Sequence, residues 1–495
     1  MRIAKAWACL RGVVCVCATT ALLGGAMTAG SEAGERSNGA RTEDTAARAA
    51  ETDGAGKYIG PGSCAATSCH GSVKPVAGSR ILQDEYSTWI LRDKHSRAYQ
   101  ALTGEVGERM ARILKLGAKA EEAPKCLTCH ALYTTAERRG RAFEVSEGVS
   151  CENCHGPAQG WLGQHTARDS AEKHAESIRL GMADTRDVKT RTAICLACHL
   201  GTREKFVDHE MIAAGHPDLY FELDSFSAVM PRHWKMPRES AAGKTVEDTA
   251  WVGVRDWSTG QAVQLRAAME RLTWRAKSER YDKKDAWPEY AELSCFACHH
   301  ALGPAKDSWR QEHGYAGRRP GDPAWNASRY AIFRILAKQV DPGAGQELDR
   351  QLAVVSGEMS KLNPDRSAVV AAAAAATPVV QGLADRLSTM TYDQDLARRM
   401  LQRITEDSEN IALADERAAE QAAVAAAAEQ VHAHRMVADR DVDALGPRRE
   451  LQRLANDVLA ARVRPLAQPH LPRRDPRHRV PHEREALSST DVDVR

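Results

Sequence analysis

The chain predicts a mostly α protein in two parts: a motif-bearing helical domain with little regular β structure, then an alanine-rich helical region. Three observations carry this. Between the motifs, apolar residues recur at three-and-four spacing, as in EYSTWILRDKHSRAYQAL (85–102), where Leu91, His95, Ala98 and Leu102 share one helix face. No run alternates convincingly as a strand requires. After residue 320 the composition turns to alanine, as in SAVVAAAAAATP (367–378) and DERAAEQAAVAAAAEQVHAHR (415–435). Such segments suit helices packed as a hairpin or small bundle, with Pro378 as a break.

Taken in order, the N-terminus places Arg2, Lys5 and Arg11 among and ahead of an uncharged stretch that runs to Gly30. Residues 1–30 therefore read as a secretory signal, cleaved or retained as a membrane anchor. Residues 31–56, SEAGERSNGARTEDTAARAAETDGAG, are small, charged and free of aromatics and read as a disordered linker. The motif domain occupies 57–320. Within it, the segment from Thr202 through REKFVDHEMIAA reads as a helix closed by Gly215 and stopped by Pro217, and 259–281 as an amphipathic helix. The alanine-rich region follows over 321–440, and 441–495, rich in Arg, Pro and His, reads as a disordered tail. His432, His434, His470, His478 and His482 fall in this C-terminal part and are assigned no chemistry.

Composition narrows the function. Aromatic residues make up only 5% of the 495, with six Phe, which is little material for a conventional core, so the interior is expected to be partly something other than protein. A formal charge of +2 gives no reason to expect nucleic acid as a partner. Loss of the signal would remove Cys9, Cys15 and Cys17 from the 13 cysteines, and each remaining one belongs to a paired motif.

Those motifs are CLTCH (126–130), CENCH (151–155), CLACH (195–199) and CFACH (295–299), with a wider relative, CAATSCH, at 64–70. Chance supplies about 0.01 copies of C-x-x-C-H in such a chain. Two thiols one helical turn apart can both form thioether bonds along one porphyrin edge, and the next residue, His, comes under the iron as proximal axial ligand. Haem c is thus assigned to Cys126, Cys129 and His130, to Cys151, Cys154 and His155, to Cys195, Cys198 and His199, and to Cys295, Cys298 and His299. A fifth haem is assigned to Cys64, Cys69 and His70, where the longer spacer requires a bulged loop. Zinc is the competing reading, since C-x-x-C pairs can combine into tetrahedral thiolate sites, but zinc has no need of a histidine after every second cysteine.

Each iron also has a distal side. The unassigned histidines of the motif domain are His95, His165, His174, His209, His216, His233, His300 and His313, enough for bis-histidine ligation throughout. His209 and His216 sit within and just past one helix, so one element could serve two haems, and His300 can reach only an iron other than that of its neighbour His299. His233, in MPRHW, is the reserve; His174 and His313 lie in charged, polar stretches and rank last. DHEMIAAGH lacks the second histidine of a zinc-protease helix.

The chain resembles the multihaem c-type cytochromes of the cytochrome c-554 family. The resemblance rests on GVSCENCHGP, on CLACHLGTREKFVDHEMIAAGHPDLYFEL (195–223), on MPRHW and on CFACHHALGPAKDSWRQ (295–311), and spans about 58–320. It implies an exported, mostly helical protein with closely stacked haems, with His95, His165, His209, His216 and His300 as distal ligands; some members leave one iron open to a small ligand. Five motifs here exceed the four of the namesake, and the alanine-rich region has no counterpart in it.

The expected function is electron transfer, with exported redox proteins as donor and acceptor, in the periplasm, through five covalently attached haems. The alternative is a multihaem oxidoreductase acting on a small nitrogen or sulfur compound at one five-coordinate haem.

Overall fold

A computed structural model of the chain describes residues 56–79, 81–166, 171–235, 252–280, 284–295, 298–299, 323–326 and 328–408, with single positions 282, 411, 418 and 422. The signal segment, nearly all of the linker, the tail, His300 and His313 lie outside the described residues. The fold is mostly helical. Among the described residues the only β pairings are two isolated bridges, Tyr58 with Arg139 and Leu293 with Trp325.

The motif-bearing part is built of short helices: α1 (Glu85–Arg92), α2 (Glu105–Ile113), α3 (Pro124–His130), α4 (Cys151–His155), α5 (Leu162–Thr166), α6 (Ala171–Arg179), α7 (Val188–His199), α8 (His209–Ala213) and α9 (Leu223–Val229). Their starts are written locally. Pro124 occupies the first turn of α3, where a missing N–H costs nothing. The carboxylates of Asp187, Asp208 and Glu222 accept from backbone N–H groups in the first turns of α7, α8 and α9. Three of the helices end on a motif histidine: α3, α4 and α7.

Two expected helices are shorter than the periodicity suggests. The 85–102 segment does not run through: Asp93 is extended, and its carboxylate caps a separate 3-10 turn over Lys94–Arg97. The shared face is therefore broken, leaving Leu91 70% exposed while Leu102 is buried. After Thr202 the chain is irregular until Asp208, the cap of α8. The stop is as read: Gly215 takes φ 115°, a left-handed closure that favours glycine.

Apolar packing in this part is sparse. Apart from Val188, Leu196, Leu200, Phe221 and Leu223, which join the main core, it amounts to Leu102, Ala111, Ala120, Leu127 and Ala131 in one cluster and Ala158, Trp161 and Met182 in another. The conventional core lies elsewhere, around α10 (Val252–Ala276), α11 (Ser328–Ala331), α12 (Phe333–Val340), α13 (Pro342–Met359), α14 (Arg366–Thr389) and α15 (Gln394–Glu406). There Trp257, Leu265, Met269, Leu272, Phe333, Leu348 and Leu352 are almost wholly buried. The scarcity of aromatics is therefore a feature of the C-terminal helices, which bury an ordinary aliphatic interior, whereas five of the six Phe lie in the motif-bearing part.

The helix α10 is the keystone. It packs against α14 on one side and against α7 and α9 on the other, so a single core runs across residue 320. It begins earlier than the 259–281 pattern suggests and ends at Ala276, shortly before Ser278 turns to φ 58°. Where α10 meets α9, a Cβ on Gly260 would stand 2.9 Å from the Leu223 side chain, so glycine permits the close approach. In α14 the buried positions Val369, Ala372, Ala373, Ala376, Val380, Leu383, Ala384 and Leu387 follow three-and-four spacing, and the small alanines bring the helix close to its neighbours. By length and hydropathy α14 could cross a membrane, but this packed face makes it a core helix.

Pro378 does not break α14, contrary to the sequence expectation. Both Pro378 and Ala374, whose carbonyl loses its helical partner, lie on the exposed face, where water can substitute. The buried positions Ala376 and Val380 hold the helix on either side.

A buried charge cluster joins α10 to the motif-bearing part. Glu292 accepts from Arg271 at 2.7 and 2.8 Å and from Arg275 at 2.5 Å. The same guanidinium groups donate to the Leu200 carbonyl at 3.2 Å and the Val207 carbonyl at 2.9 Å. Glu292→Ala leaves two buried cations without their counter-ion and is expected to cost about 3–5 kcal/mol. Pro378→Ala has the opposite sign, because proline inside a helix is about 3 kcal/mol less favourable than alanine. Thermal unfolding checks both: the melting temperature falls in the first variant and rises in the second.

Candidate metal centres

The motif cysteines are displayed by local helical geometry. In α3, α4 and α7 the two thiols of each pair stand one turn apart and the histidine follows at the helix end. At the fifth motif the His299 N–H donates to the Cys295 carbonyl at 2.8 Å, the same turn. The first motif differs as its spacing requires: a 3-10 turn over Pro61–Cys64 is followed by a second turn in which the Cys69 N–H bonds the Ala66 carbonyl at 2.8 Å.

Motif histidines meet histidines from distant segments. His70 faces His165 with ring centroids 5.9 Å apart, His130 faces His216 at 6.3 Å, His199 faces His95 at 6.2 Å and His299 faces His209 at 6.3 Å. Two imidazoles on opposite sides of one metal, each nitrogen about 2 Å from it, place their centroids about 6 Å apart. For His155, burial depresses its basicity, and the charges of His233, the reserve candidate, and of His70 and His165 add to this, so all three lie within electrostatic reach of the third motif. His174 instead points Nε2 at Asp184, 3.5 Å away.

Hydrogen bonds leave the correct nitrogen available. His70 Nδ1 pairs with Glu85 at 2.9 Å and His95 Nδ1 with Asp93 at 3.0 Å. Nδ1 of His130, His216 and His233 donates to the carbonyls of Ala98 (2.9 Å), Pro217 (2.6 Å) and Pro231 (3.3 Å). With Nδ1 engaged, Nε2 is the ligating atom, and the ring is held in one orientation. Burial pushes His155 and His199 down to about 4, so both are neutral and competent to bind metal.

The donor set fits haem c. Imidazoles come in twos, each motif histidine carries its cysteine pair, and the surrounding protein supplies few apolar contacts of its own. A structural zinc needs four closed ligands, and among the described residues no three Cys, His, Asp or Glu side chains form a group that could hold a metal. The Cys154 side chain is open to solvent, yet the bulk of protein around it pushes its thiol up to about 12.

The motifs also approach one another. The Cys64 thiol lies beside that of Cys151, and the Cys129 thiol beside that of Cys198. Cys154 lies within electrostatic reach of Cys195 and Cys198. The second and fifth motifs are joined through α8, whose His209 faces His299 while His216, just past the helix, faces His130.

Second contacts fix these segments. Asp208, the α8 cap, pairs with Arg280 at 2.8 Å and with Lys125, beside Cys126, at 3.4 Å. Arg280 and Lys125 also stack on the Phe206 ring, at 4.1 and 5.4 Å from its centre. Glu289 accepts from the His209 N–H at 3.0 Å. Sequence reading missed these residues, since nothing in their spacing links them to the motifs.

Glu152, between the cysteines of the third motif, is buried and accepts from three backbone N–H groups: Ile59 at 3.0 Å, Gly60 at 2.8 Å and Ala158 at 2.7 Å. It ties the start of the described chain to α4.

Residues 63–156 match the family model described as cytochrome c554 and c-prime, a span that holds the first three motifs. No curated protein and no solved structure matches the chain.

Glu152→Ala strands three buried donors and is expected to lower stability by about 3 kcal/mol. The exposed Glu137→Ala should leave the melting temperature essentially where it is. Thermal melts of the haem-loaded protein compare the two.

Proposed function

We propose that this chain, which carries a cytochrome c554-type domain over residues 63–156, is an exported multihaem c-type cytochrome that transfers electrons between redox proteins. The observation that carries the reading is the recurring pair of imidazoles, one from a motif and one from a distant segment, about 6 Å apart. Cys64 and Cys69, Cys126 and Cys129, Cys151 and Cys154, Cys195 and Cys198, and Cys295 and Cys298 would each hold one haem c. When bound, haem c supplies an iron that cycles between ferrous and ferric states.

His70, His130, His155, His199 and His299 serve as proximal ligands. His165, His216, His95 and His209 would stand opposite those of the first, second, fourth and fifth motifs, and His233, whose charge reaches His155, is the candidate for the third. His300, which the sequence reading placed among the distal ligands, lies outside the described residues and stands beside His233 as a candidate for the place opposite His155. Two axial histidines occupy both faces of an iron and favour electron transfer over binding of a small substrate.

The cysteine contacts, with α8, order the motifs in space as first, third, fourth, second and fifth. Such a row brings each attachment site next to another, as a relay between two partners requires. Export to the periplasm follows from the N-terminal signal and from covalent haem attachment; electron donor and acceptor are exported redox proteins.

Intact-mass analysis should find five haems on the exported protein, and its ferric spectrum should be wholly low-spin. His165→Ala should leave the haem count at five and turn one centre high-spin. A wild-type high-spin ferric signal that shifts on adding nitrite or hydroxylamine would instead support the oxidoreductase reading.

A further inference from the structure

We propose that Glu85 and Asp93 hold the first-motif and fourth-motif centres at lower reduction potential than the second-motif and third-motif centres, by accepting the Nδ1 proton of their axial histidines. The inference rests on the haem reading above and adds to it a potential ranking.

The axial histidines differ in what Nδ1 meets. At the first motif the acceptor for His70 is a carboxylate, Glu85 Oε2 at 2.9 Å, with its other oxygen fixed by the Leu82 N–H at 2.9 Å. At the fourth motif the acceptor for His95, which faces His199, is Asp93 Oδ1 at 3.0 Å, held also by the His95 N–H at 3.0 Å. At the second motif both histidines meet carbonyls, those of Ala98 and Pro217, and at the third His233 meets the Pro231 carbonyl.

A carboxylate draws the Nδ1 proton harder than a carbonyl does. The imidazole gains anionic character, and Nε2 becomes a stronger donor. A stronger donor stabilises ferric iron more than ferrous, so the potential falls. Burial sharpens the contrast: the Asp93 side chain is 5% exposed and that of Glu85 16%, so little water screens either charge. In the spatial row of motifs, the first-motif end is therefore a low-potential end, and the second motif lies downhill from the fourth.

The test is spectropotentiometry of the haem-loaded full chain and of Glu85→Gln and Asp93→Asn. Asp93→Asn keeps the single oxygen that accepts from both the His95 N–H and Nδ1 and removes only the charge, whereas Glu85→Gln, with one oxygen for two donors, also takes the acceptor from His70 or from Leu82. In the wild type, two centres should titrate below the second-motif and third-motif centres by a decade or more in reduction equilibrium, about 59 mV for one electron. Each variant should raise one centre by a similar step, with the haem count unchanged at five and the spectrum still low-spin. Five wild-type potentials lying within one decade would overturn the proposal without any variant, and so would loaded variants whose potentials do not move. A protein lacking attached haem would overturn the functional reading instead, and mass analysis separates that outcome from the others.

Discussion

The motif-bearing part is organised by pairs of imidazoles, one from a motif and one from a distant segment, that face each other at the spacing a single metal between them would set. About 6 Å between ring centres is a narrow requirement, and it must be met by residues far apart in sequence: His70 with His165, His95 with His199, His130 with His216, His209 with His299. Each pair pins two segments together. With several such pins the motif-bearing part can be assembled from helices of five to twelve residues and two small apolar clusters, too little by themselves to order a chain of this length.

The helices from α10 onward solve a different problem. They bury an aliphatic core of the ordinary kind, and α10 carries it to the motif-bearing part through α7, α9 and the Glu292 cluster. Buried ion pairs seldom add net stability against an apolar alternative, but they constrain geometry, because a displaced partner leaves a bare charge. Arg271 and Arg275 join the Leu200 and Val207 carbonyls to Glu292, and Arg280 joins Asp208 to the stretch before the fifth motif. The scaffold thereby sets the distance between segments that bear the fourth, fifth and second motifs.

Local protein contacts then differentiate centres that look alike in sequence. Nδ1 meets a carboxylate at His70 and His95 and a carbonyl at His130, His216 and His233. Glu85 and Asp93 do this while also capping turns, so the same side chain shapes the backbone and polarises the ligand.

The attachment chemistry was legible in the sequence alone, because two sulfurs and a histidine within five residues are related by helical geometry that needs no tertiary partner. The helical class, the Gly215 stop and the distal candidates His95, His165, His209 and His216 were also readable from local spacing. Tertiary structure alone decided which distant histidine faces which motif histidine in four of the motifs, and that α14 runs through Pro378. It also decided that α10 and the alanine-rich helices share one core. These outcomes depend on contacts between residues tens to more than a hundred positions apart, where burial and charge pairing, rather than periodicity, select the partner.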